Sequence, residues 1–210
     1  LEQYGPGQDW HDKGKSVRTD YLTNQTDNTV LNCILYKAEG TNDAPTLKND
    51  GNYPSGELYV TKQTDENGNV SYEFKDKLGQ VVLTRQINNN INHDTYYVYN
   101  DFGNLCFVLP PRINDEVIGQ DKLNELAYLY KYDNRNRCIR KKLPGCDWLH
   151  YVYDKADRLI FTQDGEQRDK KPKAEWTFTI PDDFGRTVLT GTCTTVNGSA
   201  ITSGRFDTWI

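Results

Sequence analysis

From Glu57 onward, apolar and polar residues alternate in short runs that each end in a polar turn. Alternation with a period of two puts every second side chain on one face, so these runs predict half-buried β-strands. The predicted strands are Leu58 to Thr61, Val70 to Phe74, Val81 to Gln86, Thr95 to Tyr99, Leu105 to Leu109 and Ala127 to Tyr132, then Cys138 to Lys142, His150 to Tyr153, Leu159 to Thr162, Trp176 to Ile180 and Thr187 to Thr192. Pro110-Pro111 ends the strand before it, because proline has no N–H to give to a ladder.

The turns between these strands repeat. Asp65, Asp76, Asn100, Asp133, Asp154 and Asp182 are followed three residues later by Gly68, Gly79, Gly103, Asn136, Asp157 and Gly185. A hairpin built on a type I turn wants Asp or Asn first and a closing residue that tolerates φ > 0, which Gly, Asn and Asp do at least cost. A polar residue follows each turn (Asn69, Gln80, Asn104, Arg137, Arg158, Arg186), and then usually an apolar one. The structural positions of this motif are therefore Gly103, Asp133, Asn136, Asp154, Asp157 and Gly185 with their counterparts. Asp157→Gly is expected to be neutral or mildly stabilising, relief of left-handed strain being set against the unfolded-state entropy of glycine.

The pattern predicts an all-β, mainly antiparallel fold: an array of β-hairpin repeats forming a curved or spiralling sheet, with at most one short helix. That helix is placed in the longest step between anchors, where Leu123 and Leu126 follow Asp121 as a cap. Residues 57–210 form the repeat array. Residues 1–56, dense in Gly, Asn, Asp, Pro and Thr, read as an irregular lead-in with one or two strands around Val30 to Tyr36. The charged stretch from Asp164 to Lys173 reads as a loop of low order, and Val196-Asn197-Gly198 as a further turn.

Hydrophobic residues make up only 36% of the chain while Tyr numbers 14, which suits a thin core edged by wet phenols. A net charge of −5 gives no field for a phosphate backbone, so nucleic acid is not an expected partner. The basic run Arg135, Arg137, Arg140, Lys141 and Lys142 is divided by strand alternation between two faces and reads as a solvated hairpin. No apolar stretch is long enough to form a membrane helix. The chain opens on Leu1 and holds no Met, so it reads as a fragment of a longer protein, and the rest of that chain is its first expected partner. Cutting a repeat array exposes strand edges, from which edge-to-edge self-association is expected.

Candidate chemistry is sparse. His11 lies beside Asp9 and Asp12, but without a nucleophile motif the segment reads as a polar loop. The run Asp65 to Asn69 lacks the glycine position and closing Glu of a calcium loop. Cys33, Cys106, Cys138, Cys146 and Cys193 show no C-x-x-C spacing for zinc, and Cys138 and Cys146 can bridge if the chain is exported. No catalytic, cofactor-binding or metal-binding residue is assigned, and no enzymatic activity is expected. Trp10, Trp148 and Trp176, with Trp209, are candidate platforms for sugar rings; the competing reading is that cross-strand aromatics only stabilise the sheet.

Tyr151-Val152-Tyr153-Asp154-Lys155-Ala156-Asp157-Arg158-Leu159 resembles the YD repeat of bacterial RHS proteins, with Asp157 where that family prefers Gly. Tyr130 to Cys138 is a second copy, and Tyr4-Gly5-Pro6-Gly7-Gln8-Asp9-Trp10 looks like a segment that precedes such repeats. The resemblance covers roughly residues 57 to 190. It implies an exported or cell-surface bacterial chain whose repeats wind into a shell, in many members around a C-terminal toxin. The expected function is a structural β-repeat scaffold, a shell wall or surface-interaction segment; the alternative is a carbohydrate-binding module on a cell-surface protein.

Overall fold

The computed structural model describes residues 1–113 and 118–194. These form two compact units, Leu1–Glu39 with Thr46–Ile118, and Gly40–Pro45 with the chain from Gly119. In chain order the elements up to Ile118 are β1 (Glu2–Tyr4), α1 (Gln8–Asp12), β2 (Ser16–Thr23), β3 (Ile34–Thr41), β4 (Ala44–Asn52), β5 (Tyr59–Thr64), β6 (Val70–Lys75), β7 (Val81–Asn88), β8 (Ile91–Tyr99) and β9 (Leu105–Leu109). The remainder holds α2 (Gln120–Leu126), β10 (Tyr128–Tyr132), β11 (Cys138–Lys142), β12 (Trp148–Tyr153), β13 (Leu159–Gln163), α3 (Gly165–Asp169), β14 (Trp176–Pro181) and β15 (Thr187–Cys193).

In the first unit the strand order is β1-β2-β5-β6-β7-β8-β9, while β3 and β4 pair as a separate two-stranded sheet. In the second, β10 to β15 follow one another in sequence order. Within each unit the long sheet is an antiparallel meander. The all-β hairpin array expected from the alternation is what forms.

A cross-strand row runs through the core of the first unit. Val60, Phe74, Leu83, Tyr96 and Leu109 are in register on five neighbouring strands and are 0–3% exposed. Burying an aliphatic or phenylalanine side chain of this size stabilises by about 1.5–3 kcal/mol, so this row holds the sheet against its cover. That cover is the lead-in: Tyr36 meets Tyr96 edge to face at 5.0 Å, and Cys33 and Leu58 are buried with them.

A β-bulge follows five of the six repeat turns. Lys75 pairs with Val81 but Phe74 with Leu83, which leaves Val82 as the extra residue. The same shift leaves Cys106, Ile139, Ile160 and Val188 extra in the later hairpins. All five extra residues are apolar, and Val82, Cys106 and Ile160 are buried. The first hairpin, in which Ser71 occupies the equivalent position, pairs without a shift. A bulge turns two consecutive residues toward one face. This explains why Val82-Leu83 and Cys106-Phe107 are both buried where strict alternation would send one of each pair to solvent.

Three expectations are corrected. Among the described residues there are three short α-helices instead of at most one. The charged stretch after Asp164 contains α3, where the Asp164 carboxylate accepts the Gln167 N–H at 2.8 Å and the Gln167 side chain accepts the Asp164 N–H at 3.1 Å. This capping box is invisible to apolar periodicity, since the helix buries nothing. In α2 the cap is Gly119, with Asp121 inside the first turn, and Leu123 carries the burial. Residues 1–56 hold four strands, not one or two; β1 and β4 are short of apolar residues and lie largely exposed, and β2 is half exposed, so apolar alternation marks only β3. The Asn197-Gly198 turn and Trp209 lie outside the described residues.

Candidate functional site

The feature built most deliberately into this chain is the repeat turn. At each of the six anchors the backbone N–H donates to the carbonyl four residues on, and the residue three on donates its N–H back, at 2.8–3.1 Å. The closing residue is left-handed in every copy: Gly68, Gly79, Gly103 and Gly185 at φ 78–82°, Asn136 at 60° and Asp157 at 61°. The anchor's Oδ1 accepts two further N–H groups, from the residues two and four positions on, again in all six copies at 2.8–3.1 Å. Asn100 does this as well as an aspartate, because one carbonyl oxygen suffices.

The second carboxylate oxygen explains the polar residue after the turn. Oδ2 of Asp133, Asp154 and Asp182 accepts Nε–H of Arg137, Arg158 and Arg186 at 2.7 Å, and Asp65 Oδ2 accepts the Asn69 amide at 2.7 Å. The arginine then reaches onward. Arg137 Nη1 donates to the Asp154 carbonyl at 3.2 Å and to Asp157 Oδ1 at 2.7 Å, and Arg158 Nη1 donates to the Asp182 carbonyl at 3.1 Å. In the first unit Gln80 Nε2 reaches the Gly103 carbonyl at 3.2 Å. The turns at Asp76, Asp133 and Asp154 are thus each tied to the next turn by the side chain that follows them.

A tyrosine adds a second tie. Tyr99, preceding Asn100, donates its hydroxyl to the Val81 carbonyl at 3.1 Å, and Tyr153, preceding Asp154, donates to the Cys138 carbonyl at 2.9 Å. Both acceptors sit five residues after the previous anchor. For Asp154 and Asp133, burial works to raise the carboxyl pKa, but the backbone N–H groups and the paired arginine outweigh it and hold both below the usual range. Asp182 is lowered first by the Arg186 N–H.

A second polar cluster, missed from the sequence, pins the lead-in. Arg85, 3% exposed, forms a bidentate pair with buried Asp94 and donates Nη1 to the carbonyls of Thr29, Val30 and Asn32. Asn24, 1% exposed, accepts the Leu58 N–H at 2.8 Å and donates to the Pro54 carbonyl at 2.9 Å. The only sequence signal was a charged residue at an inward position of each strand.

The tryptophans proposed as platforms differ in exposure. Trp10 is exposed on α1 beside Gly5. Trp148 is half-buried, with Lys131 Nζ 5.0 Å from its ring centroid. Trp176 is corrected: 7% exposed and packed on Val152, Phe161 and Cys193, it is core and offers no face. His11 is exposed, 3.6 Å from Asp12 and against the Tyr4 ring. The five cysteines are free thiols, Cys138 and Cys146 included. Among the described residues no group of His, Cys, Asp and Glu has the makings of a metal site. A cleft of about 800 Å³ beside α3 is rimmed by Glu125, Asp147, Asp164, Glu166 and Asp169 with Lys142.

No family model matches the chain, and no curated protein does. Among solved structures it is similar to the Tc holotoxin pore of Photorhabdus luminescens, at 11% identity and a TM-score of 0.49, over 84% of this chain and 12% of that one.

Proposed function

We propose that this chain is a structural segment of a larger β-repeat protein of the RHS type, exported to the bacterial exterior, and that it works as a wall and not as an enzyme. The observation that supports it is the chaining of turns. Asp, Arg and Tyr side chains are here engaged in holding the turns at Asp133 and Asp154 closed and fastening each to the next. A hairpin array fastened along its turns resists opening at the end where loops are otherwise weakest, which is what a wall requires.

Hydrogen exchange of the intact chain tests this. The N–H groups of Gln80, Asn104, Arg137 and Arg158 are expected to be protected together with their flanking strands, and Arg158→Ala should expose the turns at Asp154 and Asp182 together. Turns that exchange one by one at loop rates would overturn the reading. A carbohydrate-binding module takes first place instead if neutral glycans quench tryptophan emission saturably and Trp10→Ala abolishes the effect.

A further inference from the structure

Pairing register brings together three cationic or ionisable groups that lie well apart in sequence. Lys131 on β10 is opposite Arg140 on β11, and Arg140 is opposite His150 on β12. Directly opposed neighbours have Cβ atoms about 4.5–5.5 Å apart, so the row spans roughly 10 Å across the sheet. Like charges placed directly opposite destabilise a sheet, and a fold that uses Asp–Arg pairs at three of its repeat turns has the means to neutralise them. It does not do so here. Among the described residues, neither Lys131 nor Arg140 has a carboxylate within ion-pair distance, and neither side chain makes a hydrogen bond. Asp43 feels both cations from beyond that distance, with its own oxygen held by Thr41 at 2.7 Å.

The surroundings sharpen the field. Arg168 on α3 also bears on His150, its own partner Asp147 lying 3.9 Å away and largely exposed. Across the other strand His150 faces uncharged Gln163, and the Trp176 ring is 6.4 Å from it. Lys131 is partly desolvated against Trp148, and burial lowers its pKa. Burial, then Arg140 and Arg168, push the His150 imidazole down to about 4, so at neutral pH it is an uncharged hydrogen-bond donor beside two unpaired cations.

We propose that Lys131, Arg140 and His150 form an oxyanion site, a row that takes carboxylate or phosphate groups of a ligand through charge-assisted hydrogen bonds. The oxyanion can be free in solution or carried on an acidic polypeptide segment. Such a site supplies the negative charge the sheet omits, and it leaves the turn ladder untouched.

The experiment is NMR titration of the His150 Cε1–H resonance in the intact chain, at constant ionic strength, with inorganic phosphate and with a tetra-aspartate peptide. A saturable shift is expected, together with a rise of the His150 pKa above about 4, since a bound anion opposes Arg140 and Arg168. Lys131→Gln and Arg140→Gln should each weaken binding at least about fivefold, and Lys131→Arg should restore it to within about twofold. Lys173→Gln should change nothing. Phosphate alone saturating identifies a free oxyanion as the ligand, and tighter binding of the peptide identifies an acidic segment. No saturation with either probe, or a shift that survives Lys131→Gln and Arg140→Gln in folded protein, overturns the proposal. Since none of these residues fastens a turn, neither result bears on the wall reading.

Discussion

The anchor aspartate can be dissected at Asp154, where the ladder is most buried, because the chain carries its own reference in Asn100. Asp154 is 4% exposed and accepts the Ala156 and Arg158 N–H groups on Oδ1 and the Arg158 guanidinium on Oδ2. Asp154→Ala orphans two N–H groups and leaves Arg158 without its carboxylate; losses of this kind amount to about 3–5 kcal/mol. Asp154→Asn keeps the Oδ1 acceptor, as Asn100 does, and loses only the charged half, so about 1–2 kcal/mol is expected. The two should also differ in pH dependence. The folded pKa of Asp154 is depressed, so its ionic contribution is present above the unfolded value of about 3.9 and is lost as pH falls through the folded value. The gap between wild type and Asp154→Asn should therefore close in acid, while the two lost N–H bonds keep Asp154→Ala the weaker. Urea unfolding followed by Trp148 and Trp176 emission, at pH 7 and in steps toward pH 2, measures both. If Asn costs as much as Ala at pH 7, or if the gap between wild type and Asn ignores pH, the division of labour between the two carboxylate oxygens is wrong.

Breaking the buried pair by Asp94→Ala should cost about 3–5 kcal/mol and make residues 24–33 the first site of protease cleavage, because Arg85 then loses the partner that aims it at the loop carbonyls; an unchanged cleavage pattern counts against it. Gly103→Ala, at φ 78°, should lose about 1–2 kcal/mol in thermal or urea unfolding, and Gly103→Asn clearly less, since Asn136 fills the same slot natively. Thiol labelling at pH 8 should find Cys146 at once and Cys33 and Cys106 only on unfolding, burial having pushed those two thiols up to about 12 and about 11; rapid labelling of either would mean that the core opens.

The repeat turn was legible because it is local. Each left-handed closer lies three residues after its anchor; a side-chain oxygen that accepts nearby N–H groups selects Asp or Asn for the anchor, and backbone sterics select Gly, Asn or Asp for the closer. The strands that follow were legible by alternation, and the bulge has a sequence mark in retrospect: an apolar residue at Val82, Cys106, Ile139, Ile160 and Val188, against Ser71 in the hairpin without one. Even the arginine after the turn was visible as a polar position, though not as a tie.

What the sequence could not carry depends on which strand lies beside which. Arg137 meeting Asp157, Tyr153 meeting the Cys138 carbonyl and Arg85 meeting the carbonyls of Thr29 and Asn32 are contacts across tens of residues, fixed by register and not by spacing. Asp157 shows the difference most directly. By sequence it is a strained stand-in for glycine; in the fold its carboxylate also pairs with Arg135 and Arg137, so removing it trades backbone relief against exposed ion pairs worth about 0–1 kcal/mol each. Trp176 likewise has the same composition as a platform and as a core residue, and only packing against Val152 and Phe161 decided between them. Local backbone preference is written residue by residue along the chain, whereas burial and pairing belong to neighbours that only folding supplies.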